Sequence, residues 1–356
     1  MGEWKENKLG DVITFQRGHD LPKTQMVDGN FPVAGSNGII GYHNNFTTKG
    51  PGVTIGRSGN IGTPHFYQTD YWAHNTVLYV KDFKKAAPKF IYYFLKIFDF
   101  YQFNAGSAVP TLNRNHIHEL DVLLPSPPEQ LSITAILSSL DDKIDLLSRQ
   151  NKTLESLAET LFRQWFMEEA DESWEEKTVA DIIEVRDGTH DSPKPKETGR
   201  CLITSKHLKP TGIDFNSAYK ISEEDYIAIN KRSKVNKDDI LFSMIGTLGL
   251  IHYVQDEPDY AIKNIGLFKS SLKPEFAKFL YLLLKSPLGK KFVYESADGS
   301  TQEYISLGSL REFAFMYPRD SPLKSFDKTV SPYFMKNIYK QQTNPHPHPS
   351  ARYAAA

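Results

Sequence analysis

The sequence predicts an α+β protein in which two similar mixed α/β domains are joined by a long coiled-coil helix. Four blocks of the first half recur in the same order in the second half, and a run with heptad spacing separates the two halves. With 356 residues, 40% of them hydrophobic, the chain can form two domains with cores of their own. The expected divisions are residues 1–125 for the first copy, 126–170 for the helical spacer, 171–320 for the second copy, 321–342 for the start of a second spacer, and 343–356 for an unstructured tail.

The duplicated blocks predict the architecture of each copy. The paired blocks begin at Trp4 and Trp174, at Val53 and Ile240, at Pro88 and Ala277, and at Ala105 and Asp298. Apolar runs bounded by glycine predict strands and hairpins, whereas "KFIYYFLKIF" and "KFLYLLLKS" predict one buried helix in each copy.

The spacer has a clear helix start. Ser126 can cap the first turn, the two following prolines suit positions where no N–H is needed, and Glu129 stands at the reciprocal capping-box position.

Heptad spacing then predicts a coiled-coil seam along this helix. Every d position is Leu or Ile, and the one polar core position is Asn151, a residue type that fixes register. The predicted seam is Ile133, Leu137, Leu140, Ile144, Leu147, Asn151, Leu154, Ala158, Leu161 and Trp165. Leu146, Leu157, Phe162 and Phe166 lie off the seam, so the helix should offer apolar surface to more than one neighbour. The alternative is a helix packed only on its own domain.

Composition and motifs point away from several kinds of chemistry. Cys201 is the only cysteine, which excludes an internal disulfide and a cysteine-based zinc cluster. Phosphate-binding glycine motifs and a serine-nucleophile elbow are absent from the sequence. The pairs His116 with His118 and His346 with His348 lack further ligands at metal spacing, and Cys201 near His207 is better explained as a buried thiol than as a nucleophile. We therefore predict neither a catalytic residue nor a metal site.

Charge and hydropathy bear on partners and location. A net charge of −1 gives no support of its own to nucleic-acid binding. The sequence contains neither an apolar run of about 18 residues nor a signal-like N-terminus, so we expect a cytoplasmic protein.

Three stretches resemble a known family. Residues 106–146, "GSAVPTLNRNHIHELDVLLPSPPEQLSITAILSSLDDKIDL", are similar to the junction of a target recognition domain and the first conserved spacer in specificity (S) subunits of type I restriction-modification systems. "DGTHDSP" at 187–193 and "DDILFSMIGTLG" at 238–249 resemble the second recognition domain, and the likeness extends from about residue 3 to 342.

This resemblance implies a non-catalytic subunit that recognises DNA sequence. Each recognition domain would read one half of a bipartite target in double-stranded DNA, and the helical spacer would set their separation and dock adenine methyltransferase (M) subunits. A restriction (R) subunit would complete the complex. S-adenosylmethionine and ATP would belong to these partner subunits, so we expect this chain to bind no cofactor.

The candidate DNA-binding residues are polar or basic side chains on loops that can enter a groove. In the first copy they are Arg17, His19, Lys23, Ser36, Asn37, Arg57, Ser58, Asn60, Asn104, Ser107 and Asn113. In the second copy they are Thr189, His190, Lys194, Lys196, Ser205, Lys206, His207, Lys263 and Gln302. Turn formation is the alternative role for each, since turns require the same residue types.

Two other classes of function remain open. The first is a coiled-coil adaptor that binds proteins but not DNA. The second is an enzyme acting on carbohydrate or peptide, for which the sequence offers no recognisable carboxylate pair or triad.

The C-terminal segment departs from the family pattern. In the family the second spacer continues as a long helix antiparallel to the first, but here Pro345, Pro347 and Pro349 forbid a helix soon after residue 342. We therefore expect a truncated second spacer and a seam without most of its intramolecular partner. Self-association through residues 137–165, or one-sided binding of methyltransferase, would cover the exposed leucines.

Overall fold

The computed structural model describes residues 4–105, 108–299 and 303–336. The predicted tail, the end of the second spacer, Ser107 and Gln302 lie outside these ranges. The chain divides into two compact units, the first running to Asp145 and the second starting at Leu146.

The first unit contains nine strands and the first part of a long helix within its described residues. The strands are β1 (Lys5–Lys8), β2 (Thr14–Arg17), β3 (Phe31–Gly35), β4 (Gly38–His43), β5 (Gly52–Gly56), β6 (Pro64–Tyr67), β7 (Trp72–Ala73), β8 (Val77–Asp82) and β9 (Asp121–Leu124). The helices are α1 (Leu9–Val12), α2 (Pro88–Leu95), α3 (Arg114–His118) and α4 (Pro127–Arg163), with 3-10 turns at Lys23–Gln25 and Phe100–Phe103.

The strands of the first unit form three sheets. An antiparallel sheet has the order β2-β8-β5-β6, a smaller sheet has the order β4-β3-β7 with β3 and β7 parallel, and β1 pairs with β9. The predicted helix after Pro88 is α2, whose Phe90, Ile91 and Leu95 are buried against Val53 and Ile55 of β5 and their neighbours. This apolar contact forms the core of the unit.

The second unit repeats the plan. Its strands are β10 (Glu175–Thr178), β11 (Val185–Asp187), β12 (Arg200–Thr204), β13 (Leu208–Lys209), β14 (Gly212–Ile213), β15 (Lys220–Ile221), β16 (Ile240–Ser243), β17 (Ile251–Tyr253), β18 (Tyr260–Lys263), β19 (Ile265–Phe268) and β20 (Ala314–Tyr317). Its further helices are α5 (Val179–Ile182), α6 (Glu223–Ser233), α7 (Pro274–Lys285), α8 (Pro287–Ser296), α9 (Leu307–Arg311) and α10 (Asp320–Lys336), with 3-10 turns at Ser205–His207 and Ser270–Leu272. A π-helical turn, Gln164–Glu168, extends α4.

Sheet topology confirms the duplication and the α+β class. The order β11-β19-β16-β17 matches β2-β8-β5-β6, and β15-β12-β18 matches β4-β3-β7, including its one parallel pair. The pairing of β10 with β20 matches that of β1 with β9. Helix α6 is an addition, since residues 44–51 between β4 and β5 contain no helix.

The spacer is one helix of 37 residues that starts at the predicted prolines. At its first turn the amide of Gln130 donates to the Ser126 carbonyl (2.9 Å). Glu129 differs from the expectation, because its carboxylate accepts a hydrogen bond from the Trp4 indole (3.2 Å).

The end of the spacer is buried in the core of the second unit. Ala158, Phe162 and Phe166 are buried, and the Phe162 ring lies 5.4 Å from that of Phe279 in α7 and 6.3 Å from that of Phe326 in α10. The expectation that the seam at 137–165 lacks most of its intramolecular partner is therefore wrong for this end, because α7 and the short α10 cover it.

The middle of the predicted seam differs from its end. Leu140 and Ile144 are 55% and 57% exposed, whereas Asn151 is only 4% exposed. Ile133, Leu137, Leu147, Leu154, Leu161 and Trp165 are half-buried. Contacts within the described chain thus leave the stretch around Leu140 open to a further partner.

Within the described residues, no helix is long and apolar enough to cross a membrane.

Candidate functional site

Loops at one end of the first copy meet around residues 74–76. The Gly18 amide donates to the Val77 carbonyl (3.1 Å), and the His19 amide donates to the Ala73 carbonyl (2.7 Å). The turn after β5 joins them, because the Arg57 and Ser58 amides both donate to the Thr76 carbonyl, at 2.8 and 3.2 Å. We call residues 17–20, 57–60, 74–76, 104–105 and 110–113 the first rim.

The last segment of the first rim packs against the Arg57 turn. The Leu112 amide donates to the Arg57 carbonyl (2.9 Å), and the Gly59 amide donates to the Pro110 carbonyl (3.0 Å). Arg17, His19, Arg57, Ser58, Asn60, Asn104 and Asn113 from the predicted set therefore lie on one rim.

Three of these side chains also maintain local turns. Asn60 accepts from the Thr63 hydroxyl (3.3 Å), Asn104 accepts from the Thr111 amide (2.9 Å), and Asn113 caps α3 by accepting from the Asn115 amide (3.0 Å). Their amide oxygens thus have the turn role that was the alternative for such residues. Ser36 and Asn37 form the β3–β4 turn, and Lys23 lies in an exposed 3-10 turn.

Arg17 and Arg57 give the first rim a positive centre. Partial burial, and to a smaller extent the positive charge of Arg17, lowers the pKa of Arg57 below its ordinary value. Among the described residues neither arginine has a carboxylate partner, and the Arg57 guanidinium donates only to the Asn75 carbonyl (3.5 Å). Two arginines with free donors suit a phosphate or a guanine edge.

The second copy has the same backbone hydrogen bonds at this place but carries different side chains on them. Its Gly188 amide donates to the Ile265 carbonyl (2.9 Å) and its Thr189 amide to the Ile262 carbonyl (3.0 Å), as Gly18 and His19 do in the first copy. The bridge of Thr189 with Lys263 is parallel, like that of His19 with His74. We call residues 187–192, 205–206 and 263–264 the second rim.

Asn264 links two segments of the second rim, the one that contains His190 and the one that contains Ser205. Its side-chain oxygen contacts His190 Nδ1 (2.8 Å), and its carbonyl accepts from the Ser205 hydroxyl (2.8 Å). His190 also contacts Asp187 (2.9 Å), and Lys263 pairs with Ser192. Thr189, His190, Ser205 and Lys263 of the predicted set are thus brought together, with exposed Lys206 beside them.

Three predicted residues of the second copy lie elsewhere. His207 is fully buried, and its Nδ1 accepts from the Thr204 amide (2.9 Å) to close a 3-10 turn. The expectation that His207 contacts DNA is therefore corrected, because its ring has no surface to offer. The Lys196 amide donates to the Lys220 carbonyl at the β15 edge (2.9 Å), and Lys194 is exposed on the same loop.

The sequence-based prediction included Lys263 but missed the other residues of the central loops, which are His74, Asn75 and Thr76 of the first rim and Asn264 of the second. The sequence does contain a pattern that marks these loops, because "WAHNTVLY" and "YAIKNIGLF" place an asparagine just before equivalent buried strands. They form a fifth matched block.

Two observations concern metal binding and the single thiol. They contain no group of three or more His, Cys, Asp or Glu side chains able to hold a metal ion. Burial raises the pKa of the Cys201 thiol, which disfavours the nucleophilic thiolate.

Comparisons with known proteins agree with the duplication. The chain matches the model of the type I restriction modification DNA specificity domain twice, over residues 1–156 and 171–329. The type I restriction enzyme MjaIX specificity subunit of Methanocaldococcus jannaschii is 28% identical over 306 residues, which cover 76% of this chain and 69% of that protein. The EcoprrI specificity subunit of Escherichia coli is 24% identical over 162 residues, which cover 44% of this chain and 40% of that protein.

A solved structure shares the fold. The S subunit of a type-I restriction-modification system from M. genitalium is 16% identical, with a TM-score of 0.60 over 94% of this chain and 92% of that one.

Proposed function

We propose that this chain recognises DNA sequence and that each copy reads one half of a bipartite target. The proposal starts from the family, since the chain belongs to the type I restriction modification DNA specificity family. The observation that carries this proposal is the pair of rims. The same backbone frame recurs in both copies, yet Arg17 and His19 of the first rim correspond to Asp187 and Thr189 of the second. Different side chains on one frame would give each half-site its own base preference.

Arg57 is our first choice for direct readout. It stands at the centre of the first rim with free guanidinium donors, whereas the equivalent position in the second copy is Met244, whose carbonyl accepts from Ile305 as that of Arg57 does from Leu112. A guanidinium can donate two parallel hydrogen bonds to the O6 and N7 atoms of guanine. Arg17 and the neighbouring Ser58 would then contact the flanking phosphates.

The spacer would set the distance between the half-sites and dock methyltransferase subunits. At about 1.5 Å per residue, its 37 residues make a helix of about 55 Å. Leu140 and Ile144 are exposed on it, and Leu131 and Ile136 are 64% and 63% exposed. Apolar side chains at this density on a helix favour a protein partner. A coiled coil formed with that partner would use these positions.

Catalysis would belong to the partners. Methylation with S-adenosylmethionine, and ATP-driven restriction where a restriction subunit is present, would be carried out by subunits that bind this chain. The complex would act on DNA in the cytoplasm.

The test is duplex DNA binding by the full chain, with and without a methyltransferase partner. Arg57→Ala should weaken binding to the cognate target by roughly 1 to 3 kcal/mol, which is about five-fold to 150-fold. Arg57→Lys is the matched control, since it retains the charge but loses the two-pronged donor and should relax target preference more than affinity. Absence of DNA binding by the unmodified protein in both settings would instead favour a protein adaptor.

A further inference from the structure

The second copy carries a cationic groove beside its rim. Its lining residues are Arg186, Asp187, Lys231, Arg232, Leu307 and Arg311. They come from β11, from the end of α6 and from α9. Asp187 belongs both to this groove and to the second rim, where it contacts His190 (2.9 Å).

The groove has a surplus of positive charge. Arg186 pairs with Glu184 and Arg232 pairs with Asp187. The Arg311 guanidinium donates only to the Val185 carbonyl, at 3.2 and 3.1 Å. The exposed Lys231 side chain has neither a hydrogen bond nor an ion pair within the described part of the chain. Of the four cations that line the groove, two thus have a carboxylate partner and two have none in the described part of the chain.

Positively charged side chains lie at different positions in the two copies. The arginines at the centre of the first rim, Arg17 and Arg57, correspond to Asp187 and Met244.

At the groove it is the second copy that has positively charged side chains where the first copy has neutral ones. The Phe15 amide donates to Nε2 of His118 in α3 (2.9 Å), whereas the carbonyl of the equivalent Val185 accepts from the guanidinium of Arg311 in α9. Burial lowers the pKa of His118, which favours its neutral form. Arg186 takes the place of Gln16, and Lys231 and Arg232 lie on α6, the helix that the first copy lacks.

We propose that this groove binds the DNA backbone, with Lys231 and Arg311 contacting a phosphate next to the half-site read by the second rim. The inference rests on the proposed function, since it requires the second copy to dock on DNA. The groove adjoins the readout loops, and it supplies the cations that the second rim lacks where the first rim has Arg17 and Arg57. Phosphate contacts position a protein on the duplex without reading sequence.

The experiment measures binding of the full chain to random-sequence duplex DNA over a series of salt concentrations. Loss of one phosphate contact should reduce the slope of log affinity against log salt by about 0.9, which corresponds to roughly five-fold weaker binding near 0.15 M salt. We expect this change for Lys231→Ala, whereas Lys231→Arg should bind like the unmodified protein. Lys328→Ala is the control, because Lys328 is an exposed lysine of α10 without an ion pair in the described chain.

The outcomes separate the groove from the proposed function. Equal affinity and salt slope for Lys231→Ala and Lys328→Ala, in a protein whose DNA binding still depends on Arg57, would overturn the groove alone. An unmodified protein that binds no DNA would overturn both proposals. If Lys231→Ala weakened capture of a methyltransferase subunit while DNA binding stayed unchanged, the groove would be a protein contact and the inference would fail.

Discussion

Single residues decide how closely the segments of each rim approach. A Cβ atom on Gly188 would lie 2.6 Å from the Ile262 carbonyl oxygen, so only glycine permits the parallel contact between residues 188–189 and 262–263. Gly18 has the same role against Ala73 and His74 in the first copy. These glycines therefore shape the rim although they offer no side chain to DNA.

Gly188→Ala should destabilise the second copy by about 1 to 3 kcal/mol, because the added methyl group forces two backbone segments apart. Urea unfolding measures the change. Gly308→Ala is the control, since the nearest atom to its added Cβ is the Ser306 hydroxyl at 3.4 Å and alanine is favoured over glycine in a helix. Equal stabilities of the two variants would contradict the close approach.

His252 should make stability depend on pH. It is 8% exposed, and burial lowers its pKa from 6.5 to about 4, because the charged imidazolium is poorly solvated there. Between these values the unfolded chain binds more protons than the folded chain, so this contribution is fully present above about pH 6.5 and is lost as the pH falls toward 4.

The effect should reach about 2 kcal/mol between pH 7 and pH 5, at about 1.4 kcal/mol per pH unit below the unfolded pKa. Urea unfolding of the unmodified protein and of His252→Gln at both pH values measures it. The variant should lose about that much less stability on acidification. An identical loss in both proteins would show that His252 does not cause it.

At the scale of elements, the spacer helix has an anchored end and an open middle. Phe162 is buried among Phe166, Phe279 and Phe326, whereas Leu140 lies in the exposed stretch. The helix therefore stabilises the second copy through its last turns and has apolar surface available before them.

Phe162→Ala should lower the free energy of unfolding by about 3 to 5 kcal/mol, since it leaves a cavity in an aromatic core. Leu157→Ala, on the same helix but 46% exposed, should change it by no more than about 0.5 kcal/mol. Denaturant unfolding compares the two. A small effect of Phe162→Ala would mean that α4 is not anchored to α7 and α10.

Leu140→Gln combined with Ile144→Gln should leave stability nearly unchanged, because both side chains are exposed, but should abolish association through the helix. Sedimentation at increasing protein concentration tests self-association, and capture of a methyltransferase subunit tests docking. A strictly monomeric unmodified protein would exclude self-association. Unimpaired capture by the double variant would exclude docking at these positions.

At the scale of the whole molecule, the duplication predicts independent half-site recognition. Exchange of residues 1–125 for those of another specificity subunit should change one half of the methylated target and leave the other half intact. Mapping of methylated adenines in the DNA of cells that express the exchanged protein measures this. A change in both halves, or in neither, would contradict modular reading.

The matched blocks predicted the fold well because each carries a buried strand or helix, whose apolar spacing is visible in one dimension. Candidate site residues were harder to choose. His207 resembles a surface histidine in sequence, yet the chain folds its ring into a turn. Asn75 and Asn264 belong to the rims because strands far apart in sequence bring them there. Residue type alone does not mark them, and only their recurrence in a matched block does.

The sequence by itself determined the duplication, the long helix and its start at Pro127, because hydrophobic periodicity and proline act locally along the chain. The tertiary structure alone decided which part of the seam is covered, since Ala158 is buried and Ile144 exposed at positions with the same heptad pattern. It also decided where positive charge gathers. Arg186, Lys231 and Arg311 are far apart in the chain and line one groove because β11, α6 and α9 pack around it.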